Sequence, residues 1–88
     1  MVTTQVTVVN QLGMHARAAA KFVHLANRFA ARVKVSRQGR EMDGKSILGL
    51  LLLAAARGSL ITITADGSDE LAAAEALARL VSEGFGED

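Results

Sequence analysis

The hydrophobic residues of this chain change period as they go, and that change limits the folds open to it. From Val2 to Val9 they alternate: Val2, Val6 and Val8 share one face, Thr3, Gln5 and Thr7 the other. Alternation of β-branched residues marks a half-buried strand. Ala31 to Ser36 repeats it, with Ala31, Val33 and Val35 opposite Arg32, Lys34 and Ser36. Leu60 to Ala65 does so again, with Ile61, Ile63 and Ala65 set against Leu60, Thr62 and Thr64. Arg37, Gln38 and Gly39 predict a hairpin turn, and Arg40 to Asp43 a short returning strand.

Between these runs the spacing becomes helical. Helix one is expected from about His15 to about Phe29, with Ala19, Phe22, Val23, Ala26, Phe29 and Ala30 facing the core. Ile47 to Ala56 predicts a second helix with Ser46 as its N-cap, Leu50, Leu53 and Ala54 turned inward, and Arg57 and Gly58 at its end. Ser68 or Asp69 caps a third helix whose stripe is Ala73, Ala74, Leu77, Leu80 and Val81. Gly84 to Asp88 reads as a frayed tail with Phe85 tucked down. The order is β-α-β-β-α-β-α, an α+β domain with helices on one face of a sheet.

At 88 residues the chain has room for one small domain, spanning 1–88, and half of its residues are apolar. It has no cysteine, so disulfides and thiolate metal sites are excluded. Its two histidines, His15 and His24, are nine apart, which gives no metal cluster, and no metal or cofactor is expected. Ten basic and nine acidic residues leave a net charge of +1, and there is no Tyr or Trp for stacking, so nucleic acid is not an expected partner. No secretory leader is visible, and the stretch Ile47 to Ala56 is too short for a membrane span. A soluble, cytoplasmic monomer is expected. Neither a nucleophile elbow nor a phosphate-binding loop of the Walker type is present.

The chemistry concentrates at Gly13-Met14-His15-Ala16-Arg17, directly before an alanine-rich helix. A helix start presents unpaired N–H groups and a positive dipole end, which suit an anion. Beside Arg17, a histidine there suggests a phosphoryl group carried on an imidazole nitrogen. The helix dipole and Arg17, folded back, would disfavour the imidazolium and leave a lone pair for attack on phosphorus. Below His15 runs a basic stripe of Arg17, Lys21, His24 and Arg28, read as a docking surface for an acidic partner. The second helix is apolar nearly all round, so Leu48, Leu51 and Leu52 should stay at least partly exposed.

With these residues in view the chain resembles HPr, the histidine-containing phosphocarrier family of the bacterial phosphotransferase system. Three blocks carry the likeness: Asn10 to Ala19 with its Gly-x-His-x-Arg motif, Gly44 to Leu50 around Ser46, and Ala56 to Ile63 with Asp66 to Glu70. Position 18 is alanine where many relatives have proline; either suits a first helical turn. The segment around Ser46 looks more like nitrogen-related or non-sugar regulatory branches than the enteric sugar carrier.

The resemblance implies an open-faced β-sandwich, a four-stranded antiparallel sheet with three helices on one face. It implies a carrier rather than an enzyme, forming a transient phosphohistidine. His15 would take a phosphoryl group on Nδ1 from enzyme I and pass it to an enzyme IIA protein, with Arg17 as electrostatic partner. Ile47, Leu48, Leu51 and Leu52 would join Lys21, His24 and Arg28 in the docking patch. Ser46 would be the target of an HPr kinase/phosphorylase, its phosphate stabilised by the helix dipole while repelling acidic partners. The competing reading is a regulatory binding module whose phosphorylation at His15 or Ser46 is itself the signal.

Overall fold

A computed structural model describes residues 1–87. In chain order the elements are β1 (Val2–Thr7), α1 (Ala16–Ala26), β2 (Arg32–Arg37), β3 (Arg40–Asp43), α2 (Ile47–Leu53), β4 (Leu60–Asp66) and α3 (Glu70–Ser82). A 3₁₀ turn, Gly84–Gly86, follows α3. The strands form one antiparallel sheet in the order β1-β4-β2-β3. The α+β order read from the periodicity is the order found.

Register explains why one face of the sheet is apolar. Val2 pairs with Ala65, Thr4 with Ile63 and Val6 with Ile61, while Val33 pairs with Ala65 and Val35 with Ile63. Because side chains alternate across a strand, these residues share the face that the helices cover. Val33, Val35, Ile61, Ile63 and Ala65 are buried there. The other face is polar: Thr3 and Lys34 flank Thr64, and Gln5 and Ser36 flank Thr62.

Phe22, Leu50, Leu53, Leu77, Val81 and Phe85 close the core from the helical side. Ala73 and Ala74 form a smaller cluster with Ala31 and Ala65. At these two alanines α3 carries little bulk between itself and the sheet.

Several elements end earlier than the periodicity suggests. β1 stops at Thr7, although Val8 remains buried and Val9 is exposed. Helix α1 stops at Ala26, where Asn27 caps it, so Phe29 is only half-buried and Ala30 is exposed. The second helix ends at Leu53 rather than Ala56. Ala54 there takes a left-handed conformation, φ 53°, and is exposed, not turned inward. Leu50 and Leu53 do face the core, while Ile47, Leu48, Leu51 and Leu52 are exposed.

Asp69 precedes α3 but does not cap it with its side chain. Its carboxylate instead accepts from the N–H groups of Ala30 and Ala31, each at 2.8 Å. Those two bonds, led by Ala30, hold the carboxyl below the usual aspartate range. The segment between α1 and β2 is thereby tied to the start of α3.

The tail is not frayed. Phe85 is 1 % exposed despite its left-handed φ of 58°, and the ammonium of Lys21 donates to its carbonyl at 2.8 Å. Burial of a large aromatic ring offsets the backbone strain. Asp88, part of the expected frayed segment, lies outside the described residues.

Gly13 positions the loop before α1. Its φ is +64°, and a Cβ there would lie 2.5 Å from Ala55 O and 2.9 Å from Ala56 Cα. Gly39 has a similar φ of +82°, but a Cβ there meets nothing within 4 Å. Gly13→Ala should therefore destabilise the protein by clearly more than the roughly 1 kcal/mol of left-handed backbone strain that Gly39→Ala incurs. Paired thermal melts check this, and equal losses would refute the close approach at Gly13.

Candidate functional site

His15 is the N-cap of α1, in extended conformation with φ −78° and ψ 178°. Its position comes from the loop before it. The Met14 N–H donates to Ala55 O at 2.8 Å, and Asn10 Nδ2 donates to Gly13 O at 2.8 Å. Asn10 is 2 % exposed, so this clamp works away from water, where such bonds are stronger. The first turn of α1 then forms behind His15, with Ala19 N–H donating to its carbonyl.

The ring is held at both nitrogens. The backbone N–H of Arg17 donates to Nδ1 at 3.3 Å. Nδ1 is therefore the acceptor, and Nε2 carries the ring proton. Nε2 lies 2.9 Å from both Oε1 and Oε2 of Glu87. Glu87 Oε1 also accepts from Asn10 Nδ2 at 2.8 Å. The His15 side chain is 27 % exposed and that of Glu87 20 %. The bond to His15 first, and that to Asn10 second, hold the Glu87 carboxyl below the usual glutamate range.

Sequence reasoning missed Glu87. The residues before it are Gly84, Phe85 and Gly86, a composition that suggests freedom rather than docking. The one signal was Phe85, expected to tuck down: burying its ring fixes the path of the next two residues.

The expected partner Arg17 behaves differently from its sequence reading. Its backbone contacts the ring, whereas its side chain is exposed and makes no hydrogen bond or ion pair with another described residue. The charged group in contact with the ring is the Glu87 carboxylate.

Lys21 and His24 lie on exposed positions of α1, but Lys21 is engaged with the tail, and Arg28 falls beyond the helix end. The stripe is thus shorter than a continuous helical face would make it.

Ser46 is the N-cap of α2, with Oγ accepting from Gly49 N–H at 3.0 Å. It sits at the other end of the helix pair from His15. Lys45 Nζ donates to Phe29 O, beyond the end of α1, while Met14 bonds Ala55, beyond the end of α2. The start of α1 therefore lies beside the end of α2. Leu51 and Leu52, at that end, are the exposed leucines carried toward the His15 loop, at 37 % and 50 % exposure.

No group of three or more potential metal-ligating side chains occurs among the described residues. Nor is any helix among them long and apolar enough to cross a membrane. The arrangement is a surface imidazole with one lone pair turned to a helix start, not a cleft with a general base.

The chain is similar to known proteins over nearly its whole length. The family model described as the phosphorylation site of the PTS HPr component matches residues 2–83. The phosphocarrier protein HPr of Cupriavidus necator is 48 % identical over 87 residues, covering 99 % of this chain and 98 % of that protein. The crystal structure of HPr-C-His from Thermoanaerobacter tengcongensis superposes with a TM-score of 0.96 at 34 % identity, covering 100 % of this chain and 99 % of the other. Crh of Bacillus subtilis, a catabolite repression protein crystallised as a dimer with a swapping domain, gives a TM-score of 0.78 at 43 % identity, covering 96 % and 97 %.

A depressed carboxyl contributes stability that is complete above its unfolded value, about 4.3, and lost as pH falls through the folded value. Carbon-detected titration of Glu87 should therefore show a midpoint below that of an ordinary glutamate. In His15→Ala the midpoint should rise toward the ordinary range; an unmoved midpoint would remove His15 as the main cause.

Proposed function

The chain belongs to the HPr family of phosphocarriers of the phosphotransferase system, and on that premise we propose that His15 accepts a phosphoryl group from enzyme I and passes it to an enzyme IIA protein. The whole of residues 1–88 acts as one carrier domain, working as a cytoplasmic monomer that needs no cofactor. The observation that carries the reading is His15 as N-cap of α1, with Nδ1 as the unprotonated nitrogen turned to the first helical amides.

The lone pair on Nδ1 is the nucleophile. Forming the bond to phosphorus displaces the Arg17 N–H from Nδ1 and frees it for a phosphoryl oxygen. The unpaired amides of the first turn and the positive end of the helix dipole then face the new charge. The Arg17 side chain, unpaired among the described residues, adds a charge-assisted bond to the phosphoryl group. With one arginine and one helix end, the grip is moderate, which suits a group that must leave again.

Docking is assigned to exposed side chains along α1, α2 and the chain after α1: Lys21, His24 and Arg28 for acidic partner groups, and Ile47, Leu48, Leu51 and Leu52 for apolar ones, with Leu51 and Leu52 on the His15 side. The partner supplies the rest of the active site, which accounts for a histidine on an open surface. Ser46 is proposed as a target of an HPr kinase/phosphorylase. A phosphate on its Oγ would take the place of the cap bond to Gly49 N–H and put a dianion beside the apolar patch.

A second reading is favoured by the likeness to Crh: a regulatory module in which the state of His15 or Ser46 is the signal. Onward transfer separates the two, since a signal module retains its phosphoryl group.

Incubation with enzyme I and phosphoenolpyruvate should add one acid-labile phosphoryl group, seen by intact mass, and His15→Ala should remove it. Equal labelling of His15→Ala would overturn the assignment. Arg17→Ala should slow transfer at least about tenfold, the worth of one lost bond to a charged group, with little change in melting temperature.

A further inference from the structure

The tail beyond α3 ends on the imidazole by more than a chance contact. Glu87 presents both carboxylate oxygens to Nε2 at 2.9 Å. One of them is also gripped by Asn10 Nδ2, whose residue is 2 % exposed and bound to Gly13 O in the same loop. The backbone leading there is fixed three times: Phe85 is buried, Lys21 holds its carbonyl, and Glu87 N–H donates to Gly84 O at 3.0 Å. The carboxylate thus approaches the ring at the nitrogen remote from the helix start, which Nδ1 faces.

We infer that Glu87 is a positioning residue for His15: it holds the ring proton on Nε2, so that Nδ1 presents the lone pair, and keeps that proton in place while the phosphoryl group is carried. The inference rests on the phosphocarrier reading above for its use, though not for its geometry.

The step balances without an outside base. The Nδ1 lone pair forms the bond to phosphorus as the bond from phosphorus to the donor atom breaks, its electron pair leaving with the donor. The ring becomes a cation shared between its two nitrogens, and Nε2 keeps its hydrogen. In onward transfer the N–P bond breaks and its pair returns to Nδ1. The ring gains and loses no proton in either direction. A ring stripped of the Nε2 proton would have to leave as an anion, a far poorer leaving group. A carboxylate against Nε2–H stabilises the cation and so keeps the group transferable. Glu87 is suited to this because, held below the usual glutamate range, it remains a carboxylate and does not take the proton.

Other charged groups around the pair are few among the described residues. Lys21 on α1 lies near the carboxylate, tied to the Phe85 carbonyl, and Arg17 on α1 points to solvent. The loop from Asn10 to Met14 contributes only uncharged side chains. None of these replaces Glu87 at Nε2.

The test uses the full chain with Glu87→Gln and Glu87→Ala, both checked for an unchanged fold by circular dichroism. Nitrogen chemical shifts of the His15 ring, taken where the ring is neutral, should place the proton on Nε2 in the wild type and give a more mixed population in Glu87→Ala. A wild-type ring protonated on Nδ1 overturns the inference without any variant. In phosphorylated protein, the pH dependence of phosphoryl loss should move to lower pH by about one unit in both variants, the scale of removing a neighbouring opposite charge. An unchanged profile overturns the role during carriage. Should the wild type take up no phosphoryl group at all, the carrier reading fails, while the ring shifts still decide whether Glu87 holds the proton.

Discussion

The structure depends most on the docking of one loop, Asn10 to Met14, against the chain leaving α2. A backbone bond from Met14 to Ala55 and a glycine pressed onto Ala55 and Ala56 bring them together. Through this contact the start of α1 is fixed relative to the end of α2, and His15 relative to the exposed leucines. Asn10 then links the same loop to the tail by donating to both Gly13 and Glu87. Three segments distant in sequence meet at one small knot, and the imidazole stands on it.

Much of the fold was readable from periodicity because the sheet buries only one face. A strand with water on one side must alternate, and the pairing of Val2, Val33 and Ala65, or of Val6 with Ile61, preserves that alternation across the sheet. Ends were less readable. Phe29 and Ala30 keep helical spacing beyond Ala26, yet the chain turns at Asn27 because Asp69 captures the N–H groups of Ala30 and Ala31. Such a partner, almost forty residues away, leaves no local trace. For α2 the visible stop was Gly58, whereas the helix ends at an alanine that tertiary contacts hold in a left-handed conformation.

At the candidate site, the place of His15 at a helix start was legible because its signals are local: a glycine two residues before it and an alanine-rich run after it. Ser46 was legible for the same reason, as a cap. Glu87 was not, since its role is made by distance. Nothing in Gly84-Phe85-Gly86-Glu87 points to residue 15 until the burial of Phe85 folds the tail across α1. Arg17 shows a different limit. Its proximity in sequence left open whether the side chain folds back on the ring; it is the backbone amide that makes the contact, while the residue is exposed.

The left-handed alanine at the end of α2 has a consequence for how the molecule opens. Alanine gains nothing from that conformation on its own, so isolated α2 would have no reason to stop there. Its length is set by its neighbours: Leu53 buried on one side, and the carbonyl of Ala55 accepting from Met14 on the other. The apolar patch and the histidine loop accordingly belong to one cooperative unit, losing protection from solvent exchange together rather than one after the other. A disturbance felt first by Leu51 or Leu52 is in the same event a disturbance of the ground beneath His15.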